Sequence, residues 1–185
     1  MTPQELKNAI DKPVFHLVGE SADELGVKAC VVGGYVRDLL LERHSKDIDF
    51  VAVGSGIELA RKVAASMHAR VSVFATYGTA QVKKRGLELE FVGARRESYT
   101  PESRNPEVSA GSLDDDLRRR DFTVNAMALC VNSGDFGTLI DPFGGLDDMK
   151  RRRLRTPLNP DETFSDDPLR MMRAIRFATQ LDFAI

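Results

Sequence analysis

Two cysteines and no CxxC spacing leave this sequence without the means for a disulfide framework or a cysteine zinc site. Cys30 and Cys130 both sit in apolar runs, Ala29-Cys30-Val31-Val32 and Leu129-Cys130-Val131, which suits buried thiols in a reducing cytosol. Also missing are an apolar stretch of the roughly 18 residues that a membrane span needs and an N-terminal basic region followed by an apolar one. A cytoplasmic location and no membrane partner are expected. Positive charge is not in excess. Lys+Arg number 26 against 28 Asp+Glu, a net charge of -2, so contact with nucleic acid has to be local or come from residues outside this chain. There is no repeat, no low-complexity tract, no Walker A loop and no GxGxxG fingerprint. His16, His44 and His68 are too scattered for a zinc site.

What remains is an ordinary globular composition, 42% apolar and 29% charged over 185 residues, enough for one domain or one with the start of a second. Spaced apolar positions over 4–25 predict helical segments broken near Pro13. Ala29 to Val32, then Gly33-Gly34, then Tyr35 to Leu41 read as strand, glycine turn and helix. Asp47 to Val53 is a strand, Ile57 to about Met67 a helix, and 71–74, 79–82 and 87–92 are short strands, the last two joined by a hairpin at Lys84-Arg85-Gly86. Hairpin-linked strands favour a mixed or antiparallel sheet in an α/β (α+β) unit. Residues 97–111 read as a polar loop, and Ser112 with Asp115 as a capping-box-like helix start. The apolar tail of 118–129 is expected to pack as a helix, Asp141 to Gly145 as a turn, and Ser165 to cap a last helix running to about Leu181. The chain stops at Phe183-Ala184-Ile185 directly after that helix and is read as the N-terminal part of a longer protein.

Four groups of residues carry chemistry. Side chains alternate along a strand, so Asp47 and Asp49 share a face while Ile48 turns to the core. Two adjacent carboxylates repel, and a divalent cation such as Mg²⁺, which favours oxygen ligands and bridges carboxylates to phosphates, is a reason to place them together; a solvated strand edge is the other reading. Glu90, on a later strand, reaches the same place if that strand pairs nearby. The Gly33-Gly34 turn leading into a helix lets backbone N–H groups approach an anion, with Arg37 one turn on, although most Gly-Gly turns are only turns. Arg120, Asp121 and Asn125 suit a phosphate, a ribose hydroxyl and a further polar contact. Asp167, Arg170, Arg173 and Arg176 recur at helical spacing as one polar stripe, with Leu169, Met172 and Ile175 supplying apolar contacts. That stripe is either a solvated face laced by ion pairs or an acceptor and donor set for a base edge. The basic run Lys150 to Arg155 is either an RNA-backbone contact or a solvated linker face.

In this order the segments VVGGYVRD (31–38), KDIDFV (46–51), DLRRRDFTVNAMAL (116–129), DPFGGLDDM (141–149) and DDPLRMMRAIRFA (166–178) resemble the class II tRNA nucleotidyltransferase/poly(A) polymerase family, the bacterial-type CCA-adding enzymes and their relatives. The resemblance implies a polymerase-β-like palm with a mixed sheet over 1–140, the nucleotidyltransferase head, and the start of a helical neck over 141–185. The RNA-holding body and tail would lie outside this chain. It implies catalytic metal ligands Asp47 and Asp49 with Glu90 as third carboxylate, Mg²⁺ as cofactor, and triphosphate contacts from Gly33, Gly34 and Arg37. Arg120 would reach phosphate, Asp121 and Asn125 the ribose region, and Asp167 with Arg170 the base, aided by Arg173 and Arg176. Substrates implied are ATP, CTP and the 3′ end of tRNA or another RNA. The family's neck motif usually opens Glu-Asp where Asp166-Asp167 stands here, which weakens any role for Asp166. CCA addition, poly(A), CC-only and A-only addition share these motifs, and a nucleotide-binding module without transfer is the alternative of another class.

Overall fold

The computed structural model describes residues 1–45, 47–100 and 103–185, with side chains described outside 98–107. In chain order the first elements are α1 (Pro3–Ala9), α2 (Pro13–Leu25), β1 (Ala29–Val32), α3 (Gly34–Leu40), β2 (Asp47–Ala52) and α4 (Gly56–Met67). Next come β3 (Arg70–Phe74), β4 (Thr79–Lys84), β5 (Leu87–Gly93), β6 (Arg95–Thr100), β7 (Ser103–Ala110) and α5 (Leu113–Arg118). The last are β8 (Ala128–Cys130), β9 (Leu139–Ile140), α6 (Gly145–Lys150), α7 (Pro160–Asp166) and α8 (Leu169–Leu181). Two units result, Met1–Ala94 with Ala128–Ile140, and Arg95–Met127 with Asp141–Ile185.

The first unit holds a seven-stranded mixed sheet in the order β3-β4-β5-β2-β1-β8-β9, in which only the β2–β5 pair is parallel. Ile48, Phe50 and Ala52 on β2 and Leu89 and Phe91 on β5 alternate toward one buried face, where they meet α2 and α4. Phe50 stacks on Phe91 at 5.2 Å and meets Phe15 of α2 at 5.9 Å. Each such ring contributes about 2–3 kcal/mol by leaving water. The β4–β5 hairpin turns through Arg85 and Gly86, both with positive φ, as a two-residue loop requires. Gly19 brings α2 close to the end of β8: a Cβ there would collide with the Val131 carbonyl oxygen. Gly19→Ala is therefore expected to cost about 2 kcal/mol of stability by overpacking. A thermal melt unchanged from wild type would contradict that close approach.

The stretch read as a helix over the tail of 118–129 is instead a 3-10 turn at Thr123–Asn125 followed by strand β8. The pairing of β8 with β1, with Cys30 opposite Cys130, decides it: a short run of small apolar residues takes the form its neighbour offers. The two sulfurs lie 3.5 Å apart as free, buried thiols. The hydrogen bond to Cys130 and burial push the Cys30 thiol up, holding its proton.

In the second unit the stretch expected as a polar loop forms the β6–β7 ribbon, Arg95 opposite Ala110 and Glu97 opposite Val108. Its polarity hid the strands because their charges are paired, Glu97 with Arg95 at 2.9 Å and with Arg119 at 3.2 Å. The Ser112 capping box opens α5 as expected, Ser112 and Asp115 bonding each other's backbone N–H. Arg96 reaches across to Asp115, and this bond with those from Ser112 holds the Asp115 carboxyl well below the usual range. Asp141 accepts from the N–H groups of Gly145 and Leu146 and so begins α6. The last helix is not capped by Ser165, which lies inside α7; Asp167 accepts from Leu169 N–H at the start of α8. The expected polar stripe is only partly open to water, with Arg176 exposed and Asp167 and Arg173 half-buried. Arg170 is buried, while Leu169, Met172 and Ile175 are exposed.

Candidate functional site

Strand register assembles the acidic group of the first unit. Asp47 and Asp49 lie on the β2 face opposite Ile48 and Phe50, and the parallel partner sets Glu88 beside Asp47 and Glu90 beside Asp49. The antiparallel partner sets Val32, the last residue of β1, opposite Asp49. Gly33 and Gly34 follow directly, so the glycine turn leaves the sheet at the edge where the two aspartates stand. Gly33 holds φ 70° and ψ −131°, a conformation that a side chain would strain. At Gly34 a Cβ would meet only the Arg37 Nη2, at 3.7 Å. Arg37 is buried and bonded to Asp38 Oδ1 at 2.8 Å, so its reach toward the turn is set by its neighbour.

The donor set at this edge consists of carboxylate oxygens, the kind a hard divalent cation prefers. Among the described residues no group of three or more His, Cys, Asp or Glu closes around a metal ion. Asp47 and Asp49 supply two such donors and leave the remaining positions of a cation to other ligands.

In the second unit Asp116 is fully buried and gathers Arg119 at 2.6 Å and Arg120 at 2.9 Å. Arg120 Nε is buried with no hydrogen-bond partner among the described residues. Asp121 accepts from Asn125 Nδ2 at 3.0 Å and from Arg173 Nε at 2.7 Å, which joins three of the sequence-selected residues. Arg173 and Arg176 both stack on the Phe177 ring, at 5.2 and 4.8 Å. Arg170 donates to the Thr163 and Arg119 carbonyls at 3.3 and 2.9 Å, and its Nε stands 3.8 Å from Asp167. The geometry gives Arg170 a structural tie in addition to any ligand contact.

Two buried acids went unremarked in the sequence. Asp116 had a signal, since its arginines follow at i+3 and i+4. Asp148 had none: it is 1% exposed and takes Thr123 Oγ1 at 2.7 Å, Arg153 at 2.6 Å and Arg155 at 2.9 Å. Two guanidiniums of the basic run, Arg153 and Arg155, thereby pair with a buried acid. Lys150 pairs with Asp147 and Arg152 with Asp182.

Known proteins resemble this chain in sequence and in fold. The A-adding tRNA nucleotidyltransferase of Aquifex aeolicus is 49% identical over 159 residues, which is 86% of this chain and 19% of the relative. The CCA-adding enzyme of Anoxybacillus flavithermus is 40% identical over 168 residues, 90% of this chain and 40% of that enzyme. A solved tRNA nucleotidyltransferase complexed with a primer tRNA and an incoming ATP analogue superposes with a TM-score of 0.80 at 46% identity, covering 90% of this chain and 46% of its own. An apo CCA-adding enzyme gives 0.89 at 37%, covering 98% and 44%. The chain thus spans less than half the length of these relatives. Among the described residues no helix is long and apolar enough to cross a membrane. Residues 29–155, from the first residue of β1 through the segment that closes on Asp148, match the poly A polymerase head domain, and the chain belongs to that family.

Proposed function

We propose that the whole protein is a template-independent RNA nucleotidyltransferase that adds CMP and AMP, from CTP and ATP, to the 3′ end of tRNA in the cytoplasm. The observation that carries this reading is the register placing the Gly33-Gly34 turn beside Asp47, Asp49 and Glu90 on one sheet edge. A phosphate-approaching turn next to paired carboxylates is what transfer from a nucleoside triphosphate needs. The head comprises 1–140 and the helical neck begins at 141, with RNA held by parts of the protein outside this chain.

Asp47 and Asp49 would hold Mg²⁺, which when bound supplies positive charge to the phosphates and lowers the pKa of the attacking hydroxyl. Gly33 and Gly34 admit the triphosphate to the backbone, and Arg37 offers charge from the following turn. Arg120 bonds a phosphate oxygen through its guanidinium. Asn125, Asp167, Arg170, Arg173 and Arg176 supply donors and acceptors to sugar and base. The RNA 3′-oxygen forms a bond to the α-phosphorus, the bond to the bridging oxygen breaks, and pyrophosphate leaves.

A second reading, addition of A alone, is favoured by the 49% identity to the A. aeolicus A-adding enzyme. Full-length protein with Mg²⁺ is given tRNA transcripts ending before CCA and after CC, and an unrelated RNA, each with CTP or ATP. Ordered C, C and A on the tRNAs supports CCA addition, and A only on the CC-ended tRNA supports the second reading. A alone on every RNA indicates poly(A) addition, and nucleotide binding without transfer overturns both. Chelating the divalent cation is expected to stop transfer and its restoration to recover it; transfer that persists in excess chelator would count against the role of Asp47 and Asp49.

A further inference from the structure

The register that gathers the carboxylates continues across two more strands. Residues opposite one another in neighbouring strands turn to the same face of a sheet. On the carboxylate face, Asp49 of β2 stands beside Glu90 of β5, then Gln81 of β4, then Ser72 of β3. The row beside it runs from Asp47 through Glu88 and Lys83 to Arg70, and the row on the other side ends at Phe74. Over β4 and β3 this face is open, with Arg70, Ser72, Phe74 and Lys83 all exposed. Every one of these residues belongs to the first unit.

The chemistry orders the two substrates along these rows. In phosphoryl transfer the attacking and leaving oxygens lie roughly in line, on opposite sides of the phosphorus. The leaving pyrophosphate belongs with the glycine turn, which leaves the sheet from β1. The strands run in the order β3-β4-β5-β2-β1, so the attacking hydroxyl has to come from the β5 side of the aspartates. We propose that the 3′-terminal nucleotides of the RNA cross the open face of β3 and β4 to reach Asp47 and Asp49, with Phe74 stacking a base and Arg70 meeting a backbone phosphate. The proposal rests on the nucleotidyltransferase reading above and adds the side from which the RNA enters. β3 lies three strand spacings from β2, about 14 Å. About four stacked nucleotides cover that span at about 3.4 Å per step. Phe74 is 49% exposed, and an aromatic ring on an open sheet face is a platform for an RNA base of any sequence. Charge agrees with the same path. Lys83 is tied to Glu88 at 3.0 Å, which neutralises one acid of the row and leaves Arg70 as its outer cation.

The test uses the full-length protein and tRNA transcripts ending before CCA, one set carrying 4-thiouridine among the last four nucleotides. Irradiation should cross-link the RNA to peptides that span β3 and β4, identified by mass spectrometry. Phe74→Ala should raise KM for tRNA about tenfold while KM for CTP stays within about twofold of wild type. If Phe74→Ala does not fold, Phe74→Leu, which keeps apolar bulk and removes the aromatic face, is read in the same way. Arg70→Gln should make the fall of log K for tRNA with log salt shallower by about 0.7. Arg61→Gln, the same loss of charge on α4, which packs against the opposite face, should leave that slope unchanged. Cross-links confined to other segments, or a Phe74 variant whose KM for tRNA is that of wild type, overturn the path while leaving nucleotide transfer standing. Wild-type protein that extends no RNA overturns the nucleotidyltransferase reading and this proposal with it.

Discussion

Replacing Asp47 and Asp49 together by alanine in the full-length protein is expected to lower nucleotide transfer by a factor of about 10⁴ or more, which corresponds to about 5 kcal/mol of transition-state stabilisation. The fold should survive. Asp47 is exposed and Asp49 half-buried, and both stand on the face opposite Ile48 and Phe50, so the aromatic packing beneath is untouched. Their removal also relieves like-charge crowding with Glu88 and Glu90, the register partners on β5. The measurement pairs the initial rate of RNA extension at saturating nucleotide with a thermal melt. Activity within tenfold of wild type would refute the metal-holding role, and a collapsed melt would move the loss from chemistry to folding. Glu90→Ala, affecting a single carboxylate on the neighbouring strand, is expected to fall between wild type and the double variant.

Asp148→Ala is expected to cost about 3 kcal/mol of stability by urea unfolding. Removing one partner of a buried ion pair costs about 3–5 kcal/mol because the other charge stays behind unpaired. Here Arg153 and Arg155 are 43% and 42% exposed and regain water when released, which puts the loss at the lower end. The buried Thr123 hydroxyl loses its acceptor in the same step. The pH dependence has a defined sign. Burial pushes the Asp148 carboxyl up, but bonds from Arg153 and Thr123 and the charges of Arg155 and Arg153 outweigh it, and the net shift is down from 3.8. A carboxyl lowered in the folded state adds stability above its unfolded pKa and loses it as pH falls through the folded value. Wild type should therefore lose stability more steeply than Asp148→Ala as pH drops below about 4. Parallel acid profiles would show that Asp148 contributes no such linkage.

Local patterns made the first unit legible. The alternation of Asp47-Ile48-Asp49-Phe50, the glycine pair after four apolar residues and the Arg85-Gly86 turn are each decided within a few positions, and the structure follows them. The pairing of β2 with β5 was not written locally; it emerges from the stacking of Phe50 on Phe91, and it is what brings Glu90 beside Asp49. In the second unit buried charge is what local pattern does not announce. Asp116 is held by Arg119 and Arg120, Asp148 by Thr123, Arg153 and Arg155, and Arg170 by backbone carbonyls. The strands β6 and β7 and the strand β8 were hidden for a related reason, since each is stabilised by a neighbour and not by its own composition.

The pairing of β1 with β8 has a consequence for synthesis. Residues 30 and 130 are opposite one another, so the sheet of the first unit is interrupted in the chain by the whole of Arg95–Met127. At about 5–20 residues per second, β1 leaves the ribosome several seconds before its second neighbour exists. During that interval the β1 edge that β8 later covers, with Cys30 on it, is an open template for pairing with other nascent chains. A nascent polypeptide halted before residue 128 would carry the complete carboxylate edge and yet be held together by only five of its seven strands.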